Sequence, residues 1–221
     1  MTLADPPTER LSVRLRTGTR PDHDAAQGSG FLDRLAAGTL PREAYADLAT
    51  QHWYIYEALE RAAGAMATDP VAGRFVFPEL TRLPALSADL LHLGAGVPDT
   101  ARPVGLLAAT AEYRARLQAV AFDQPWAYIA HHYTRYLGDL SGGQFLGPAI
   151  ARAYGLAGDG HRFFVFDGVK PPAFRTRYRE LLDETGFTPA EEDLFLAEVT
   201  EAYRLNIAVL AELKERWAQE G

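Results

Sequence analysis

The 221-residue chain contains no cysteine, which excludes a disulfide framework, a thiolate metal site, a cysteine nucleophile and a CxxCH cofactor attachment. Long hydrophobic runs are missing too. Stretches such as Val104-Gly105-Leu106-Leu107-Ala108-Ala109 fall far short of the roughly 18 residues that a membrane span needs. An excess of positive charge is also lacking: 22 Lys and Arg face 29 Asp and Glu, a net charge of −7, so any basic surface is local and a general nucleic-acid footprint is absent. The N-terminus, MTLADPPTERLSVRL, carries an acid and two prolines where a signal peptide would place basic and then apolar residues. These absences predict a soluble, cytoplasmic protein with no membrane insertion and no nucleic-acid partner. No P-loop, GxSxG, HExxH or dinucleotide fingerprint occurs either.

What is present is ordinary globular usage, 48% hydrophobic and 23% charged, at a length suited to one core. We expect one domain over 1–221, with 1–8 and 218–221 frayed. From Pro41 to about Ala67, Tyr45, Leu48, His52, Ile55, Leu59, Ala62 and Met66 recur at steps of three and four. That is one face of an amphipathic helix, with Thr39 as its expected cap and Pro41 in its first turn. Thr188-Pro189-Ala190-Glu191 has the capping-box spacing, and Phe195, Val199, Ala202, Asn206, Val209, Leu213 and Trp217 then form a stripe with one polar residue in its middle. Shorter helices are predicted from about Thr8 to Arg20, Leu83 to Leu93, Arg102 to Phe122 and Phe174 to Glu184. Only Phe163-Phe164-Val165-Phe166 reads like a strand, and a lone strand makes no sheet. The predicted fold class is all-α, a single multi-helical domain.

One more helix opens with Asp123 as its expected cap and Pro125 in its first turn, then runs into Gly138-Asp139-Leu140-Ser141-Gly142-Gly143-Gln144-Phe145-Leu146-Gly147-Pro148. Three glycines within six residues cost about 1 kcal/mol each against alanine in a helix. Spacing alone leaves two readings open. The glycines either end the helix or let helices pack closely, or else Gly138 and Gly142, four apart and on one face, offer bare backbone to a large flat ligand. Asp139 then sits at the edge of that patch, or is simply a solvent-facing carboxylate.

The string Tyr133-Thr134-Arg135-Tyr136-Leu137-Gly138-Asp139-Leu140-Ser141-Gly142-Gly143-Gln144 resembles the signature of the haem (heme) oxygenase family. Leu15-Arg16-Thr17-Gly18-Thr19-Arg20-Pro21-Asp22-His23-Asp24-Ala25-Ala26-Gln27 is similar to that family's proximal segment, with His23 placed 116 residues before Asp139. Phe174-Arg175-Thr176-Arg177-Tyr178-Arg179 is similar to its second propionate-binding helix, and Ala202-Tyr203-Arg204-Leu205-Asn206 matches its last core helix more loosely.

The resemblance implies oxidative opening of haem b, at once cofactor and substrate, to biliverdin, carbon monoxide and ferrous iron, with attack at the α-meso carbon giving the IXα isomer. It implies a haem sandwiched between a proximal helix and a kinked, glycine-rich distal helix. His23 becomes the axial iron ligand; Arg16, Arg20, Tyr133, Thr134, Arg175 and Arg179 bind the haem and its propionates; Gly138 and Gly142 let backbone lie over the iron; and Asp139 organises water for proton delivery. No bound flavin or nicotinamide is expected, so with dioxygen the reaction needs a separate electron donor, a ferredoxin or reductase, docked by arginines that include Arg177. Two departures stand out. Gln27 occupies a position where many relatives carry glutamate, which lowers the push on the ligand imidazole. Pro21 predicts a break, with the ligand helix restarting there.

Rival readings lack their residues. A di-iron bundle needs Glu-x-x-His pairs, of which there are none; thiamine-cleaving proteins of similar architecture need a cysteine; and Arg175-x-Arg177-x-Arg179 lacks the interleaved aromatics of a nucleic-acid site. A non-catalytic haem carrier on the same scaffold is the remaining alternative, and Asp139 beside an intact glycine pair argues against it. Of the other histidines, His52 reads as a hydrogen-bonded core or boundary residue, one of His131 and His132 as facing the core, and His92 and His161 as exposed or at turns.

Overall fold

The computed structural model describes residues 9–21 and 30–218. The expectations for His23, for Gln27, for the frayed N-terminus and for 219–221 lie outside the described residues. Nine α-helices occur among those described: α1 Leu11–Gly18, α2 Phe31–Ala36, α3 Arg42–Met66, α4 Leu83–Leu93, α5 Ala108–Val120, α6 Pro125–His132, α7 Gly138–Tyr154, α8 Pro171–Asp183 and α9 Pro189–Arg216. Short 3-10 turns fall at Ala72–Phe75, Pro78–Leu80 and Arg162–Phe164, and a π-helical turn, Tyr133–Leu137, joins α6 to α7. No strand occurs among the described residues.

The centre is a bundle of α3, α5, α6 and α9, with α4 along α3, α2 against α7, and α1 against α8 and α9. Its core is rich in tyrosine: Tyr45, Tyr54, Tyr56, Tyr113, Tyr128 and Tyr178 are fully buried. Burying a phenol is favourable only when its hydroxyl finds a partner. Tyr45 donates to the Gly160 carbonyl at 2.8 Å and Tyr54 to that of Val104 at 3.1 Å, while the Tyr178 hydroxyl meets His132 Nδ1 at 3.0 Å.

Several boundaries differ from the sequence reading. Thr39 does not cap α3; its hydroxyl donates to the Arg34 carbonyl and closes α2 instead. Asp123 does not cap α6, whose N-cap residue is Gln124 with no side-chain cap. The helix predicted from Arg102 begins only at Ala108, because Gly105 takes φ 70° and the loop is tied to α3 through Gln51 and Tyr54. Its first turn is capped from a distance, the Ala108 and Ala109 N–H groups donating to the Glu212 carboxylate of α9. Helix α8 starts three residues early, at Pro171, where the first-turn prolines suit the unpaired N–H positions. The capping box at Thr188 and Glu191 is present as expected. The predicted break near Pro21 falls at Thr19, after which Arg20 and Pro21 are again helical.

The strand-like Phe163–Phe166 run is instead a 3-10 turn and an extended tail. Side chains replace a strand partner: Asp89 accepts from the Arg162 and Phe163 N–H groups, both at 2.8 Å, and the Arg82 guanidinium donates to the Phe163 and Val165 carbonyls at 3.2 and 2.7 Å. That clamp sets Phe164 against α7.

Candidate active site

Helices α6 and α7 are one rod with a fault in it. The π turn Tyr133–Leu137 inserts an extra residue into the helical repeat, a device that re-aims side chains and is common at functional sites. It brings Tyr133, Thr134, Arg135 and Leu137 to a cavity of about 410 Å3, whose next wall is Gly138, Asp139, Ser141, Gly142, Gly143 and Leu146 of α7. Opposite stand Leu32 of α2, His52 of α3, and Tyr203, Asn206 and Leu210 of α9; Phe164, Arg175 and Arg179 complete the lining.

The glycines divide by task. A Cβ at Gly138 or Gly142 would meet nothing within 4 Å, so both present bare helix backbone to the open cavity. A Cβ at Gly143 would lie 3.1 Å from Phe164 and one at Gly147 only 2.7 Å from the Phe164 Cβ. Close packing and a ligand-facing patch, the two readings left open by spacing, therefore both occur, on different glycines.

Asp139 is not a solvent-facing carboxylate. Its Oδ2 accepts a hydrogen bond from the Tyr56 hydroxyl, and the Arg135 guanidinium lies over the Tyr56 ring, 5.2 Å from its centroid, while donating to Asn206 Oδ1. Burial pushes the Asp139 carboxyl up; the Arg135 charge, the Tyr56 hydrogen bond and the Arg82 charge pull it down without cancelling the rise. Burial works against the Arg135 cation, but Tyr56, Asp139 and Tyr113 more than compensate and keep it charged. Arg135 is 4% exposed, yet among the described residues its Nε and Nη2 have no hydrogen-bond partner. A buried cation with two open donors beside a cavity is suited to water or a polar ligand there.

The mouth is basic. Arg175 donates to Ser141 Oγ at 3.2 Å, which fixes it against α7, and Arg179 comes close enough to Tyr133 to temper the rise that burial imposes on that phenol. The walls at Leu32, Leu137, Leu146, Phe164 and Leu210 are apolar. An apolar slot with arginines at one edge fits an amphipathic ligand bearing carboxylates.

Of the residues singled out in the sequence, Gly138, Asp139, Gly142, Tyr133, Thr134, Arg175 and Arg179 meet in this cavity. The Thr134 hydroxyl itself donates to the Ala130 carbonyl at 3.0 Å. Arg16 and Arg20 are exposed at the end of α1 and beyond it, outside the cavity lining. Arg177 is set over the Phe77 ring at 5.2 Å. His131 and His132 are both buried, not one of the two, and His52, half-buried at the boundary as one of its readings had it, faces the cavity with no hydrogen bond among the described residues. Tyr56, Arg135, Asn206 and His52 were not assigned to the site. The available signal was positional: His52 and Tyr56 are four apart and so share a helix face, and Arg135 and Asp139 are four apart across the signature string.

Among the described residues no group of three His, Asp or Glu side chains is placed to hold a metal ion. No helix among them is long and apolar enough to cross a membrane.

Comparison with known proteins agrees with this geometry. The family model for heme oxygenase matches residues 9–212. Heme oxygenase 1 of Nostoc sp. is 31% identical over 210 residues, 94% of this chain and 87% of its own. The solved structure of heme oxygenase from Leptospira interrogans superposes with a TM-score of 0.83 at 34% identity, covering 92% of this chain and 99% of that one. Heme oxygenase-1 from the cyanobacterium Synechocystis sp., solved in complex with heme, gives 0.86 at 30% identity over 96% and 95% of the two chains. With the signature string built into a π-interrupted, glycine-faced helix over a basic-mouthed cavity, the chain belongs to the heme oxygenase family.

Proposed function

We propose that the cavity binds haem and that this chain opens it to biliverdin IXα, releasing carbon monoxide and ferrous iron. The observation that carries the reading is the pairing of a bare Gly138–Gly142 helix face with a buried Asp139–Tyr56 pair and an under-partnered Arg135 on the same cavity. The residues present fit the group. A flat macrocycle needs the space that two Cβ atoms would fill, its propionates need the arginines at the mouth, and the open donors of Arg135 need a polar neighbour.

In this reading His23 would ligate the iron, and Arg16 and Arg20, which lead into its segment in the sequence, would help to hold the propionates. Arg175, Arg179 and Tyr133 hold the propionates and thereby fix the rotation of the ring in its plane, which decides the isomer. When bound, the haem supplies the iron that activates dioxygen and the ring carbon that is attacked. The protein's own task is proton control. Asp139 Oδ2 takes the Tyr56 hydrogen bond, which leaves Oδ1 to hold cavity water, and the raised affinity of this carboxyl for protons suits it to deliver one through that water. Arg135, anchored by Asn206, offers its free N–H groups to the same water and keeps the site from filling with unaligned solvent. The electrons come from a separate ferredoxin or reductase. A cytoplasmic setting, which is kept reducing, suits that supply.

The test is to titrate the purified protein with hemin, add a reductant in air and follow the absorption spectrum. A one-to-one Soret band that decays as a bilin band grows is expected. A stable ferrous or oxygenated complex would make the protein a carrier, and no hemin binding would overturn the reading. His23→Ala is expected to lose turnover and to regain part of it with added imidazole; an unchanged haem spectrum in that variant would exclude His23 as the ligand.

A further inference from the structure

His52 enters the cavity from α3, one helical turn before Tyr56, and the chemistry above gives it no task. The buried histidines elsewhere in this fold are bonded to protein: His131 Nε2 lies 2.9 Å from Glu198 Oε1, and His132 Nδ1 lies 3.0 Å from the Tyr178 hydroxyl. His52 differs. Its ring packs on Phe163 with centroids 4.9 Å apart, and among the described residues neither ring nitrogen has a hydrogen-bond partner. Its ring nitrogens do not belong to the enclosed polar atoms left without a partner among the described residues, so they open onto the cavity, where water or a polar ligand can pair with them. Burial, and then the nearby charge of Arg135, hold the ring neutral. A neutral imidazole offers one N–H donor and one lone pair, so it hydrogen-bonds without adding charge, as Asp139 and Arg135 cannot.

We propose that His52 is a second polar anchor of this cavity, hydrogen-bonding through its free ring nitrogens the water or small polar ligand that shares the cavity with haem. It is a positioning residue, acting on cavity water from α3 while Asp139, held by Tyr56 of the same α3, acts on it from α7. The inference rests on the haem reading.

Azide, a small anion that binds ferric haem and accepts hydrogen bonds, is the probe. In the hemin-loaded protein, His52→Leu is expected to raise the azide Kd about two- to tenfold, the worth of one ordinary hydrogen bond. His52→Gln, whose amide also donates, is expected to restore most of the affinity. Wild-type azide affinity in a His52→Leu protein that still binds hemin one-to-one would overturn the role of His52 and leave the haem reading standing. Failure of the wild-type protein to bind hemin would overturn both. A measurement on the wild-type chain needs no variant to fold: with 15N-labelled histidine and diamagnetic zinc protoporphyrin bound, a cross-peak between the His52 ring N–H and bound water is expected, and its absence overturns the proposal.

Discussion

Burial sets the chemistry of Asp139. A carboxyl on an exposed turn would be ionised and indifferent to its neighbours, whereas this one is enclosed by Tyr56, Arg135 and the α7 backbone, and its affinity for protons rises. Asp139→Ala removes the proton-holding group without placing any atom in the haem space. It is therefore expected to bind hemin with little change, to form biliverdin about 100-fold more slowly or worse, as for loss of a general acid, and to gain peroxidase activity toward a phenolic dye. Biliverdin formation at the wild-type rate would remove Asp139 from the mechanism. The importance of Asp139 was legible in the sequence because it sits in a string of unusual composition. Its partners were not: Tyr56 is 83 positions away and Asn206 is 71 from Arg135, and no local pattern reports which tyrosine or asparagine a fold will deliver to a carboxylate or a guanidinium. His52 misled for the same reason. A histidine in an apolar stripe looks alike whether its face meets core or cavity.

The glycines act at the scale of the element. Helix α7 tolerates four of them because two face open space and two let Phe164 approach, and these tasks separate by substitution. Gly142→Ala fits a helical backbone and fills no occupied volume, so the haem-free protein should gain up to about 1 kcal/mol of stability and melt about 2–4 °C higher. Its Cβ enters the cavity, so hemin affinity should fall. Gly147→Ala places a Cβ 2.7 Å from that of Phe164, which is clamped by Asp89 and Arg82 on its own turn. That variant should lose about 1–3 kcal/mol, as overpacked sites do, and melt several degrees lower. Thermal melts of both variants, with hemin titrations of the first, check the pair; equal shifts in the same direction would erase the division. Helix positions followed from periodicity and proline placement, as at α3, α4 and α9. The π turn did not, since the apolar stripe of α6 leads smoothly into it, and the Phe163–Phe166 run misread because its backbone partners are the distant side chains Asp89 and Arg82.

Across the whole molecule, one polar cluster ties together three of the four central helices and makes the stability of the bundle depend on acid. Glu198 of α9 accepts from Arg116 of α5 through both carboxylate oxygens, and its Oε1 pairs with His131 of α6, whose other nitrogen lies 3.4 Å from the Tyr113 hydroxyl. Burial alone would raise the Glu198 carboxyl; the His131 and Arg116 hydrogen bonds and charges more than reverse this and hold it at about 2, below its ordinary 4.5. A carboxyl depressed in the folded state stabilises the fold fully above its unfolded value and loses that contribution as pH falls toward the folded one. The window is thus from about 4.5 down to about 2. Glu198→Gln cannot ionise, so it should be less stable than the wild type at pH 7 by about 2 kcal/mol, the worth of hydrogen bonds to a charged group. The difference should shrink steadily as pH drops through that window. Urea unfolding of both proteins from pH 7 to pH 3 measures it. Because Glu198 does not line the cavity, hemin stoichiometry at pH 7 should be the same in both, and a parallel pair of stability curves would show that the cluster holds the helices by shape and not by charge.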